Sequence, residues 1–375
     1  MMDSDSRYEL RINNRTVKTP IALASMAGIT DASYAMSIKD YIGIAFIGGC
    51  SIDEPSMNAS IKMEEEGRQE FKYDDPAEEL KKQVSKFTGT DVIPGINLRG
   101  TKPEAFLSIY SALGNSVIYE IDAHCRQESM INAGAGEYLL KYTDTLSDII
   151  RALKDAGATV SVKIRAGVND DDAELSRIIW KAGADIIHVD LMDFGHEKIR
   201  QIRNSCPLMI IANNSMNTYD KVKDMFSHGA DMISLARNSD PKTLESLFVS
   251  IEDYADESGW YNSPKQLCRG GDIRSLTFCC MPVKQCALIP ALKRIGMSPK
   301  EFNDLKLSLV KDTPLASGDS TCFGSLAWCC KSSTPCMFRD MSLKRVGLSH
   351  SEYMRLKHHL SKEIMKKVFD EKNEA

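Results

Sequence analysis

Eight apolar runs of strand length, each followed by a stretch of helical periodicity, predict an α/β chain that opens with a TIM (β/α)8 barrel. Two further observations agree. Polar and reactive side chains collect at the carboxyl ends of these runs, where barrel sites are built, and no GxGxxG follows the first run, which argues against a doubly wound sheet. Eight of the eleven cysteines then lie beyond Lys265, so the prediction is completed by a helical, Cys-rich C-terminal domain. The expected boundaries are 1–260 for the barrel and 261–375 for the Cys-rich domain.

The first strand is Pro20 to Met26, followed by a helix that Thr30 could cap. Ile42 to Gly49 is the second strand, with Cys50 in the loop after it. The polar stretch from Ser51 to Asp75 is long for a βα loop and suggests a lid or small insertion. Pro76 to Thr88 reads as a helix with Leu80, Val84 and Phe87 on one face. Val92 to Leu98 is the third strand and Pro103 to Leu113 its helix. Val117 to Ala123 is the fourth, after which Gly134-Ala135-Gly136 is expected to open one long helix, Glu137 to Ala156. The remaining strands are Thr159 to Ile164, Asp185 to Leu191, Leu208 to Ala212 and Met232 to Ala236. Helices are expected at Asp170 to Ala182, Glu197 to Asn204, Tyr219 to His228 and Pro241 to Asp256.

The chain has 375 residues, of which 43% are apolar and 26% charged, the balance of a globular protein. No apolar run reaches the roughly 20 residues that span a bilayer, and the amino end is polar, so a cytoplasmic location without membrane partners is expected. The net charge of −5 is unevenly spread: residues from Lys265 onward carry +8 and the remainder −13. A basic tail on an acidic body suits an anionic partner such as RNA, or simply a solvated helical surface.

The strand ends supply the chemistry. Asn213-Asn214-Ser215 and Ala236-Arg237-Asn238 follow strands seven and eight, where barrels commonly bind phosphate. Small and amide residues let backbone N–H groups approach an anion, and Arg237 adds charge. Lys163 and Arg165 lie two apart on strand five and therefore share a face. Directed inward, they could stabilise negative charge on a reduced flavin or hold an anionic substrate; directed elsewhere, they would be salt-bridged wall residues. Cys125, after strand four, is a candidate acid or nucleophile, with Asp122, His124 and Arg126 placed to tune it.

Several of these segments resemble the tRNA-dihydrouridine synthases over roughly the first 250 residues. They are Met26-Ala27-Gly28-Ile29-Thr30-Asp31, the Gly-Ala-Gly turn with Leu139-Leu140, Lys163-Ile164-Arg165-Ala166-Gly167, and the Asn and Arg after strands seven and eight. The resemblance implies FMN at the barrel mouth, contacted by Met26, Asn97, Lys163, Asn213 and Arg237, with Gly28, Arg165, Asn214 and Ala236 around it. It implies that Cys125 is the catalytic proton donor and that Lys163 stabilises the reduced ring. Asn97 stands where the family usually has Gln, His124-Cys125-Arg126 replaces Gly-Cys-Pro, and Asp190 replaces a His after strand six.

The tail contains two related units. Cys279-Cys280 is followed by Cys286 and preceded by Cys268; Cys329-Cys330 is followed by Cys336 and preceded by Cys322. Four thiols per unit suit a [4Fe–4S] cluster or tetrahedral zinc, and reduced or disulfide thiols are the remaining alternative. The segment from Cys268 to Ile364 resembles the methanogenesis marker protein 9 domain through Gly270-Gly271-Asp272-Ile273-Arg274, Thr321-Cys322-Phe323-Gly324-Ser325-Leu326 and Gly347-Leu348-Ser349. That resemblance implies an archaeal, anaerobic source.

The expected function is an FMN-dependent oxidoreductase resembling tRNA-dihydrouridine synthase and linked to methanogenesis or to maturation of its enzymes and cofactors. Two alternatives stand beside it: a genuine tRNA-dihydrouridine synthase, and a non-catalytic metal-binding assembly factor. The corresponding partners are tRNA or a methanogenesis enzyme under maturation.

Overall fold

A computed structural model describes residues 11–12 and 15–258, except Asn204 and Pro207, and isolated positions between 296 and 352. The eight cysteines assigned to metal, and most of the Cys-rich domain, lie outside the described residues.

Eight parallel strands close into a barrel. They are β1 (Ile21–Leu23), β2 (Ile44–Ser51), β3 (Ile93–Arg99), β4 (Ile118–Ala123), β5 (Thr159–Arg165), β6 (Ile186–Asp190), β7 (Met209–Asn213) and β8 (Met232–Leu235). Closure comes from β8 against β1, with Ile233 opposite Ile21 and Leu235 opposite Leu23. Helices return the chain between strands, as a parallel pairing requires. They are α1 (Ala32–Ser37), α2 (Glu54–Glu65), α3 (Pro76–Ser85), α4 (Pro103–Leu113), α5 (Glu128–Asn132), α6 (Tyr138–Lys141), α7 (Thr143–Asp155), α8 (Asp172–Lys181), α9 (His196–Arg203), α10 (Tyr219–Ser227) and α11 (Pro241–Ser258). A short antiparallel pair, Arg11–Ile12 with Arg15–Thr16, precedes the barrel. No described helix is long and apolar enough to cross a membrane.

The predicted strands and the barrel are present, with four local corrections. Asp31, not Thr30, caps α1 by accepting from the Tyr34 N–H; the Thr30 hydroxyl instead closes the preceding loop through the Met26 backbone. Cys50 is inside β2, at a register shift between Gly48 and Cys50. The stretch from Ser51 to Asp75, read as a lid or small insertion, contains a helix the sequence reading did not assign, α2, started by an Asp53–Ser56 capping box and Pro55. The long helix after Gly136 is two, α6 and α7, because Tyr142 takes φ −108 and ψ 68 between them.

The barrel wall is apolar towards its helices; the interior near the carboxyl ends is not. Register places Asn97 level with Glu120, and Glu120 level with Ser161. One step nearer the mouth, Asp122 lies level with Lys163, and Arg165 with Asp190. Asp190 is in turn level with Asn213, and Asn213 with Ser234. The sheet thus stacks polar side chains in layers leading to one mouth.

Candidate active site

A cavity of about 560 Å³ opens at the carboxyl ends of the strands, in the size range of cofactor sites. Among the sequence-predicted residues, Met26, Asn97, Cys125, Lys163, Arg165, Asp190, Asn213, Asn214, Ala236 and Arg237 all line it. Gly28 does not. It takes φ +70, and a Cβ there would come within 2.6 Å of the Gln69 carbonyl carbon, so Gly28 serves close packing of the β1 loop.

The floor is a fully buried polar chain. Glu120 binds His188 Nδ1 at 2.8 Å and accepts from Asn97 Nδ2 at 2.9 Å and from the Ser161 hydroxyl at 3.1 Å. His188 Nε2 lies 2.7 Å from Ser234 Oγ, which accepts from Asn213 Nδ2 at 2.7 Å. Burial opposes ionisation of Glu120, but His188, Lys163 and Asn97 together outweigh it and the carboxyl is lowered. Asn97 Oδ1 is different: it is buried and has no hydrogen-bond partner, on a residue that lines the cavity. A buried amide oxygen left unpaired costs about 1–3 kcal/mol, so the site awaits a donor at that point.

Above this floor, the β3–β6 side of the mouth is ionic and internally paired. Arg99 donates from Nε to Asp122 at 2.9 Å and from a terminal nitrogen to Glu70 at 2.5 Å. Gly49 makes room for it, since a Cβ there would approach the guanidinium to 2.8 Å. Burial opposes ionisation of Asp122, yet Arg99, with His124 and Lys163, brings its carboxyl down to about 2. The other Asp122 oxygen accepts from the backbone N–H of His124 at 3.0 Å and of Cys125 at 3.1 Å, fixing the loop after β4. Gly136 closes that loop from the far side. It has φ +62, and any Cβ would sit 2.3 Å from the Cys125 carbonyl oxygen. The adjacent Glu137 N–H donates to that same oxygen at 2.9 Å.

Lys163 and Arg165 do share an inward face. Lys163 Nζ donates to the Ser25 hydroxyl at 3.0 Å, while Arg165 pairs with Glu137 at 2.7 Å. His124 Nε2 lies 2.6 Å from Asp190 Oδ2. Burial opposes ionisation of Asp190, but the His124 hydrogen bond and charge bring its carboxyl down to about 2. Burial also lowers His124, against the hydrogen bond it makes to Asp190. Cys125 is 6% exposed and packs with Ala59, Met63, Met130 and Ala135. Burial pushes its thiol up, so it holds its proton.

The β7–β8 side has another character. Asn214 (φ 94) and Ser215 (φ 56) take consecutive left-handed conformations that turn the backbone sharply at the rim. Asn214 Nδ2 donates to the Met192 carbonyl, and Met192 is itself left-handed at φ 52. Arg237 is exposed beside this turn.

Sequence reasoning missed Arg99, Glu70, Glu120 and Ser234. Arg99 follows Asn97 at period two, which was the available signal for placing it at the same mouth.

Comparison with known proteins agrees with this geometry. Residues 109–266 match the family model described as Dihydrouridine synthase (Dus). The tRNA-dihydrouridine synthase B of Vibrio vulnificus is 21% identical over 66% of this chain and 75% of its own. A crystal structure of DHODH from Eimeria tenella, in complex with ferulenol, shares the fold: TM-score 0.54 at 12% identity, covering 70% of this chain and 88% of that one. The uncharacterized protein MJ0115 of Methanocaldococcus jannaschii is 49% identical over 108 residues, which are 29% of this chain and 70% of that protein. The chain therefore belongs to one family with MJ0115 and carries a dihydrouridine synthase (Dus) domain in its barrel.

Proposed function

We propose that this protein is a flavin-dependent oxidoreductase of the dihydrouridine synthase type. The observation that carries the reading is the buried Asn97 Oδ1, without a hydrogen-bond partner on a residue that lines the cavity, which suits a ring N–H donor such as a flavin offers. The rest of the donor set suits the same group. Asn213, Asn214, Ala236 and Arg237 would hold its phosphate at the β7–β8 rim, and Lys163 and Arg165 would face its ring with positive charge, beside Met26. When bound, FMN supplies hydride chemistry. The chain's own residues orient the substrate and move the matching proton, which could be carried by either of the adjacent groups Cys125 and His124.

The experiment is a fluorescence titration of FMN into full-length protein and into Asn97→Ala. Tight, saturable binding that weakens about tenfold in the variant is expected, in line with roughly 1.4 kcal/mol for the lost hydrogen bond. Equal binding by both proteins would remove the central support.

A second reading, a genuine tRNA-dihydrouridine synthase, is favoured by the Dus match and by the name of the Vibrio relative. Exposed Arg68, Arg126 and Arg237 around the mouth suit an RNA backbone. The division into a barrel at 1–260 and a metal-binding domain at 261–375 belongs to the first proposal, the flavin-dependent oxidoreductase, with [4Fe–4S] preferred over zinc and a role in methanogenesis or its maturation steps. One described feature supports a duplicated tail. Ser298 with Glu301, and Ser349 with Glu352, form the same reciprocal capping box, each two residues after a left-handed glycine, Gly296 or Gly347. The cysteine sets repeat in the sequence at nearly the same interval.

A further inference from the structure

We propose that Glu120, His188 and Ser234 form a proton relay in the cavity floor, through which His188 takes up a proton when a flavin bound above it gains negative charge. The inference rests on the flavin reading above and gives that site a positioning residue, His188, which acts through Ser234.

The hydrogen bonds of the floor leave little choice for its hydrogens. Asn213 Nδ2 also donates to the Ser234 backbone carbonyl at 3.2 Å, and that oxygen can only accept, so the amide nitrogen is the group beside Ser234 Oγ. Ser234 Oγ therefore accepts from Asn213, and its own hydrogen is left for His188 Nε2 at 2.7 Å. At the other edge of the ring, Glu120 Oε2 lies 2.8 Å from Nδ1. Glu120 also accepts from the Asn97 amide and the Ser161 hydroxyl, which suits a carboxylate, and its lowered carboxyl agrees. The neutral imidazole then carries its hydrogen on Nδ1, towards the carboxylate, and presents a bare Nε2 to the serine.

His188 and Glu120 are fully buried, whereas Ser234 lines the cavity. Ser234 is thus the bridge between a titratable ring and the space a ligand occupies. The charged groups nearest the relay are Glu120 from β4 and Lys163 from β5, which is level with His188. The Phe46 ring of β2 lies 5.3 Å from the imidazole, β3 and β7 supply the amides of Asn97 and Asn213, and β8 supplies the Ser234 hydroxyl. Asp122, beyond Lys163, is held by Arg99, and Asp190 by His124. With His188 neutral, the anion Glu120 and the cation Lys163 balance. A further negative charge in the cavity upsets that balance, and a proton on His188 restores it.

Two electrons and one proton, arriving together from a hydride donor, add one negative charge to the cofactor. Ser234 passes its hydroxyl hydrogen to His188 Nε2 and takes another from water in the cavity, so one solvent proton is consumed. Both ring nitrogens then donate, Nδ1 to Glu120 and Nε2 to Ser234, and the serine hydrogen becomes available to a group in the cavity. Reoxidation reverses each transfer and returns the proton to water.

The test uses full-length protein labelled with 15N-histidine, without FMN, with FMN, and with FMN reduced by dithionite. The His188 signal is the one lost in His188→Gln and shifted in Ser234→Ala. Hydrogen on Nδ1 alone is expected before reduction, and on both nitrogens after it. The FMN reduction equilibrium, read against dyes of known potential, should change with pH by about one further factor of ten per unit in the wild type than in His188→Gln. Ser234→Ala should weaken that extra dependence, and Ser234→Thr, which keeps the hydroxyl, should retain it. Hydrogen on Nε2 before reduction would overturn the relay. So would a His188 that stays singly protonated after reduction, or equal pH dependence in His188→Gln. The wild-type spectra need no substitution, so a variant that fails to fold leaves that test standing. Failure of FMN to bind, read separately from flavin fluorescence, would instead overturn the flavin reading on which the relay rests.

Discussion

The two sides of the barrel mouth solve opposite problems. On the β3–β6 side both arginines of the strands are matched from within the chain, Arg99 by Asp122 and Glu70 and Arg165 by Glu137, while Lys163 donates to Ser25. His124 is matched there by Asp190. On the β7–β8 side the rim offers two left-handed residues, amide groups and the exposed Arg237. A self-neutralised wall keeps its geometry whether or not a ligand is present, which suits orientation and proton transfer. An open rim of small polar residues suits an incoming anion. Substitutions on the first side should therefore cost stability, and those on the second should cost binding.

Arg99→Ala gives the largest expected effect. It leaves Asp122 and Glu70 buried without their shared cation, and losing one partner of a buried ion pair costs about 3–5 kcal/mol. Urea unfolding should show that loss, and a change below about 1 kcal/mol would mean that the pairing is not structural.

Acid should act on the same side. The Asp122 carboxyl is ordinarily near 3.8 and is held at about 2, so it binds a proton less readily when folded. Its contribution, roughly 2 kcal/mol, is complete above about pH 4 and is lost as pH falls through about 2. Asp122→Asn should flatten that part of the stability–pH curve; a curve of unchanged slope would contradict the assignment.

Arg237→Ala gives the smallest effect on folding and a distinct one on binding. Stability should move by less than about 0.5 kcal/mol, as for an exposed side chain. FMN affinity should fall about tenfold, since a charged hydrogen bond contributes roughly 1.5 kcal/mol or more. Equal affinity would place the phosphate elsewhere.

The barrel was legible because each strand is a short apolar run and each return helix carries an apolar stripe; Pro103–Leu113 matched to the residue. The α2 helix was hidden because its buried face is Ser56, Ala59, Ser60 and Met63, small and partly polar rather than aliphatic. Its start signal, Asp53 with Pro55 and Ser56, was nevertheless present. Cys50 was misplaced because a bulge extends β2 past two glycines. The cavity-lining residues followed from strand ends and a motif, yet their partners did not. Asp122 meets Arg99 across 23 positions and His124 meets Asp190 across 66, contacts set by strand register and not by local spacing.

The central claim, a flavin site built into this mouth, is tested most directly by the absorption spectrum of the anaerobically purified full-length protein, with added FMN where needed and metal analysis of the same sample. The account predicts flavin bands at about one FMN per chain, retained through desalting and lost with Asn97 and Arg237 both replaced by Ala. A protein that carries no flavin and retains none when FMN is supplied would contradict it.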